Sequence, residues 1–106
     1  MGYYTSYSLT VDNLNDEELD SLDKVIKENI GMDGGAEWCS WSCYAKWYDH
    51  EDDMRKLSQM FPNAIFYLFG SGEEYDDIWF KYFKNGKMQY DPAEITFDDF
   101  DETKLE

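Results

Sequence analysis

The dipeptide Asn85-Gly86 is the tightest constraint in this sequence. It stands between residues 78–84 and 87–90, and it is the pair that best tolerates the two positive φ angles of a two-residue hairpin turn. The C-terminal half must therefore contain an antiparallel strand pair. Just upstream, residues 64–69 form a short, nearly continuous apolar run, the pattern of a central strand. Residues 3–11 alternate instead. Tyr3, Thr5, Tyr7, Leu9 and Val11 fall on one side and Tyr4, Ser6, Ser8 and Thr10 on the other, which predicts a half-buried strand with its odd side inward.

Two helical segments separate these strands. Asn15 is placed to cap the first, with Glu18 three residues on and Leu14 able to staple against Leu19. Leu19, Leu22, Ile26 and Ile30 then recur at helical spacing, and Gly31 is positioned to end the helix in a left-handed conformation. Residues 32–36, with two adjacent glycines, read as a loop. Residues 38–48 alternate as a strand, with Cys39, Trp41, Cys43, Ala45 and Trp47 toward the core. Asp49 is the expected cap of a second helix whose buried stripe is Met54, Leu57 and Phe61, and Pro62 ends it. Residues 93–106 place Ile95, Phe97, Phe100 and Leu105 among acids and are expected to dock as an edge strand or a last turn. The order predicts an α+β fold, an antiparallel or mixed sheet of about four to five strands with two helices packed on one face. No linker-like stretch interrupts it, so residues 1–106 read as one compact acidic domain.

Charge decides which functions such a domain can have. Asp and Glu number 24 against 9 Lys and Arg, a formal charge of -15, while 42% hydrophobic and 19% aromatic residues supply enough apolar surface to fold. Affinity for DNA or RNA comes from replacing phosphate counterions with Lys and Arg, so this chain is expected to repel nucleic acid. The same field draws it toward basic surfaces, including those that normally hold nucleic acid. No apolar stretch approaches the roughly 20 residues that span a bilayer, and the first residues lack the basic and apolar regions of a secretory signal. A cytoplasmic protein is expected.

No catalytic signature emerges. Cys39 and Cys43, four residues apart in an extended strand, would lie about 13 Å from each other, beyond disulfide reach, and read as reduced core thiols. Zinc would have only His50 as a further good ligand, and His50 reads as a structural or surface residue among neighbouring carboxylates. The runs Glu73, Glu74, Asp76, Asp77 and Asp98, Asp99, Asp101, Glu102 offer hard oxygen ligands, yet neither has the spacing of a calcium loop. No metal and no cofactor is assigned. The aromatics could in principle stack bases, but no RNA-recognition signature surrounds them, and they read as core with a few anchors for protein contact on the outer sheet face. Lys81, Lys84 and Lys87 gather near the hairpin as a small basic tip on a negative body.

Several segments carry a resemblance. Lys46-Trp47-Tyr48-Asp49-His50-Glu51, Phe61-Pro62, Gly70-Ser71-Gly72-Glu73-Glu74 and Tyr82-Phe83-Lys84-Asn85-Gly86-Lys87 resemble small acidic proteins of bacteriophages and mobile elements. That resemblance covers about half the chain, and the arrangement is also similar to ferredoxin-like domains, departing from their usual order by offering one clear strand between the helices. The resemblance implies the anti-CRISPR or anti-defence class, some members of which mimic nucleic acid, and it carries no binding residues over to this chain. The expected function is therefore a non-enzymatic inhibitor acting in the host-cell cytoplasm, binding a basic host protein such as a nuclease or CRISPR effector. Its expected partner-binding residues are Glu73, Glu74, Tyr75, Asp76 and Asp77, with Glu17, Asp20 and Asp23 of the first helix as a second group. A metal- or ligand-binding regulatory domain using the loop at residues 73–77 is the alternative, and a small hydrolase without a recognisable motif is a third reading.

Overall fold

The computed structural model describes residues 2–106. Its strands are β1 (Thr5–Asp12), β2 (Asp33–Gly35), β3 (Ser40–Ala45), β4 (Ile65–Ser71), β5 (Ile78–Lys84) and β6 (Lys87–Pro92), and its helices are α1 (Asp16–Asn29) and α2 (His50–Met60). The strands form a single sheet in the order β2-β3-β1-β4-β5-β6, with every neighbouring pair antiparallel. This is an α+β fold with six strands, more than the four to five expected.

Alternation in the sequence becomes two distinct faces. Tyr7, Leu9 and Val11 of β1, Trp41 of β3, Phe66 and Leu68 of β4, and Trp79 and Phe83 of β5 point to one side and are buried. There they meet Leu19, Leu22 and Ile26 of α1 and Met54 and Leu57 of α2 in one hydrophobic core. Fully burying each such side chain stabilises the fold by about 1.5–3 kcal/mol, the main return against the entropy of ordering the chain. The other face of the sheet carries no helix.

The capping signals of α1 operate as expected. The Asn15 side chain accepts from the Glu18 amide at 2.8 Å and the Glu18 carboxylate accepts from the Asn15 amide at 3.1 Å, while Gly31 sits at φ 86°. The hairpin turn has Asn85 at φ 47° and Gly86 at φ 80°, as its dipeptide requires. It is also tied to α2, because the Gly86 amide donates to Ser58 Oγ at 2.8 Å and Arg55 donates to the Gly86 carbonyl at 3.1 Å.

Four expectations are corrected. The glycine-containing loop at residues 32–36 holds the short edge strand β2, which can lie against β3 because a Cβ at Gly34 would collide with the Ser40 carbonyl. The next strand begins at Ser40 and not at residue 38, since Ala36–Trp38 makes a 3-10 turn and Cys39 adopts φ 50°. Asp49 precedes α2 without a side-chain capping bond. Residues 93–106 do not dock. Ala93 donates to the Ile78 carbonyl at 2.8 Å, and beyond it every residue is exposed, with Phe97 at 82%. The resulting radius of gyration, 16.7 Å, exceeds the roughly 13 Å of a compact chain this long.

Candidate functional site

Of the 24 carboxylates, 20 are exposed and none is buried, the exceptions being the half-buried Asp23, Glu51, Asp53 and Asp77. Among the described residues only three ion pairs form, Asp23 with Lys27, Glu51 with Lys81 and Asp98 with Lys104. Most of the charge is therefore uncompensated at the surface.

The loop between β4 and β5 holds the densest array and is fixed rather than loose. Its backbone closes on itself, the Gly72 amide donating to the Asp77 carbonyl at 2.8 Å and the Asp77 amide to the Glu74 carbonyl at 3.1 Å. Tyr3, just ahead of β1, then pins it: the phenol donates to Asp77 Oδ2 at 2.7 Å and accepts from the Glu74 amide at 3.1 Å. The Glu73 carboxylate accepts from the Tyr4 amide. Two of the four predicted acids, Glu73 and Asp77, thus hold the loop in shape. Glu74 and Asp76 have no side-chain partner among the described residues, and Tyr75 between them is 77% exposed.

The α1 group lies elsewhere. Glu17 is in the first turn of α1, five residues beyond the β1 end where Asp12 pairs with Ile65, the start of β4, whereas the loop follows the far end of β4. About 20 Å of strand separates the two groups. Asp23 is also engaged structurally, accepting from the Trp41 indole at 2.8 Å and pairing with Lys27, and the Trp41 bond holds its carboxyl below the usual range. Glu17 and Asp20 remain exposed.

Beside the acidic loop lies a cluster that the residue pattern did not single out. Lys81 sits with Trp79 and Phe83 on the core face of β5 and is only 7% exposed, so the expected basic tip is reduced to Lys84 and Lys87. Its ammonium donates to Glu51 Oε2 and to His50 Nε2, both at 2.7 Å, and lies 4.4 Å from the Trp79 ring centre. An ammonium has no acceptor and a carbonyl no donor, so Nε2 must accept and Nδ1 must carry the proton it gives the Trp47 carbonyl at 2.8 Å. His50 stacks on Trp79 with ring centres 5.3 Å apart, and burial followed by the Lys81 charge pushes its pKa down. Tyr7, Trp47, Trp79, His50 and Lys81 line a cavity of about 210 Å³ that reaches Tyr3 and Asp77.

The arrangement can present fixed carboxylates and an exposed phenol to a partner. Among the described residues, no three His, Cys, Asp or Glu side chains converge as a metal-holding set, and Cys39 and Cys43 are free thiols. Among the described residues, no helix is long and apolar enough to cross a membrane. Comparison with known proteins finds no matching family model, no matching curated protein and no matching solved structure.

Proposed function

We propose that this protein is a non-enzymatic inhibitor whose carboxylates occupy the nucleic-acid-binding surface of a basic partner, a host defence nuclease of the kind anti-CRISPR proteins engage. The observation that carries this reading is the loop at residues 72–77, in which Tyr3 and the two structural acids hold Glu74, Tyr75 and Asp76 outward. A surface fixed before contact loses less freedom on binding, and uncompensated carboxylates of a -15 chain steer it toward cationic channels. Each exposed ion pair contributes only about 0–1 kcal/mol, so the complex depends on several acting together. We read β1, α1, β2, β3, α2 and β4, with strand order β2-β3-β1-β4, as a ferredoxin-like variant extended by β5 and β6; that order supports the assignment.

The test is affinity capture from a nuclease-treated bacterial lysate, followed by titration of the captured protein against wild type and variants. Heparin should compete and binding should weaken as salt rises. Glu74→Gln with Asp76→Asn should weaken the complex more than either change alone while leaving the loop intact. Unchanged affinity and salt slope in the double variant would remove the loop from the binding surface. The alternative is a metal- or ligand-binding regulatory domain using the loop at residues 73–77; the aromatic cavity around His50 and Lys81 adjoins that loop at Asp77, and a ligand held there would raise the melting temperature of wild type but not of a Trp79→Leu variant.

A further inference from the structure

The cavity beside the acidic loop is bounded by a half-buried carboxylate that no cation of the described residues neutralises. Its three half-buried counterparts each have a nitrogen donor. Asp23 has Lys27 and the Trp41 indole, Glu51 has Lys81, and Asp53 accepts from the Trp47 indole at 2.7 Å. Asp77 receives only the Tyr3 phenol, on Oδ2.

The other polar groups of the lining do not reverse this balance. Lys81 faces the same space, but its ammonium is engaged with Glu51 and His50, each at 2.7 Å, and its charge is cancelled by Glu51. His50 is neutral, with its second ring nitrogen on the Trp47 carbonyl. The first turn of α2 already carries Glu51, Asp52 and Asp53 against its helix dipole. An anion would therefore meet no free cation here, whereas a cation would meet Asp77.

The walls narrow the choice of cation. Tyr7 touches both Trp47 and Trp79 edge-on, with ring centres 5.1 and 6.0 Å away, and the Tyr3 amide donates to the Tyr48 phenol at 2.9 Å. His50 and Lys81 already lie against Trp79, which leaves Trp47 and Tyr48 as the less buried rings. Aromatic walls with one carboxylate suit a planar, weakly hydrated cation whose forked N–H donors reach the acid while its plane stacks on a ring. An ammonium is compact and strongly hydrated, and gives up its water less readily. At about 210 Å³ the space falls below the roughly 300–1,000 Å³ of pockets that enclose drug-sized ligands, and it matches the head of one side chain.

We propose that this cavity receives the guanidinium of an arginine carried by the basic partner, with Asp77 accepting its N–H donors and Trp47 and Tyr48 stacking on its plane. The inference rests on the inhibitor reading and deepens it, because arginine is the residue with which proteins grip phosphates. Glu74 and Asp76, next to Asp77 in the loop, draw the arginine in, and the cavity then discriminates it from lysine.

Titrating the full chain with N-acetyl-L-arginine amide, followed through the tryptophan indole and His50 ring resonances, tests the proposal. The expected result is saturable shifts at Trp47, Trp79 and His50 with a dissociation constant of about 1 mM. The corresponding lysine amide should bind at least tenfold more weakly, and the neutral citrulline amide should not saturate. Asp77→Asn, which keeps an oxygen for Tyr3, should weaken arginine binding at least tenfold. The comparison of the three probes needs wild type alone, so it decides the matter even if the variant misfolds. No saturation by the arginine amide, equal binding of lysine or citrulline, or shifts confined to residues outside the cavity would each overturn the proposal, as would a folded Asp77→Asn protein that binds like wild type. If the probes fail while the Glu74 and Asp76 double variant still weakens the captured partner, the inhibitor reading stands without this cavity. If the arginine amide binds as expected while the double variant changes nothing, the outward acids alone lose their role.

Discussion

Protonating the one histidine of this chain should destabilise the fold, and the size of the effect follows from its neighbours. His50 is neutral with its proton on Nδ1, and its Nε2 accepts from the Lys81 ammonium at 2.7 Å. Adding a proton to Nε2 removes that acceptor and sets two cations against each other. A hydrogen bond to a charged group contributes about 1.5–3 kcal/mol, and because His50 is half-exposed and can shift toward water, we expect the lower end, about 1.5 kcal/mol. The direction is fixed by linkage: His50 has a pKa lowered by burial and then by Lys81, so its contribution is complete above the unfolded value of about 6.5. As pH falls below that, the unfolded chain binds a proton that the native chain refuses, and stability declines through the folded pKa. Urea unfolding between about pH 7.5 and 5.5 measures this before most carboxylates titrate, and the lone histidine gives an unambiguous proton resonance for a parallel titration. Lys81→Met should raise the His50 pKa and flatten the decline. It should also cost stability at neutral pH, moderately, because Glu51 is 46% exposed and remains hydrated when its partner is lost. A His50 that titrates at or above 6.5 in wild type, or that is indifferent to Lys81→Met, would refute the assigned geometry.

Three further outcomes are expected. Gly70→Ala should destabilise by about 3 kcal/mol in urea unfolding, because a Cβ there would overlap the buried Trp79 indole directly across the β4–β5 pair. Asn15→Ala should cost about 1 kcal/mol through loss of the capping box, measured the same way, with Asn15→Ser largely preserving stability. Cleaving the chain after Pro92, by limited proteolysis or by truncation, should leave the denaturation midpoint nearly unchanged, since residues beyond Ala93 are exposed; a large fall would mean that they pack on the body.

What the sequence makes legible here is what local chemistry decides. Asn85-Gly86, the Asn15 box and the β1 alternation each fix a backbone state within a few residues, and each is seen in the fold. The edge strand β2 was hidden because its three residues, Asp33, Gly34 and Gly35, have neither β propensity nor alternation and pair only through close backbone approach to β3. Charge alone assigns Lys81 to the surface, yet the period-two pattern of β5, with Trp79 and Phe83 flanking it at the same parity, places it inward. The function of Tyr3 could not be read at all. It meets the loop 74 residues away at Asp77, and no local pattern reports such a contact. For the acids the density of the loop was visible, but which carboxylates are engaged in holding it and which face outward depends on that contact.

The exposed tail separates two properties that usually oppose each other in a charged protein. Residues 93–106 hold six carboxylates against one lysine, a net of -5 out of -15, on a segment that adds nothing to the core. Like charges packed onto a small body raise its electrostatic self-energy and weaken the folded state. Moving a third of the net charge onto a projecting strand of chain places it farther from the rest, where solvent ions screen it more effectively. The body thus folds as a -10 object while the molecule, seen from a distance, retains its full -15.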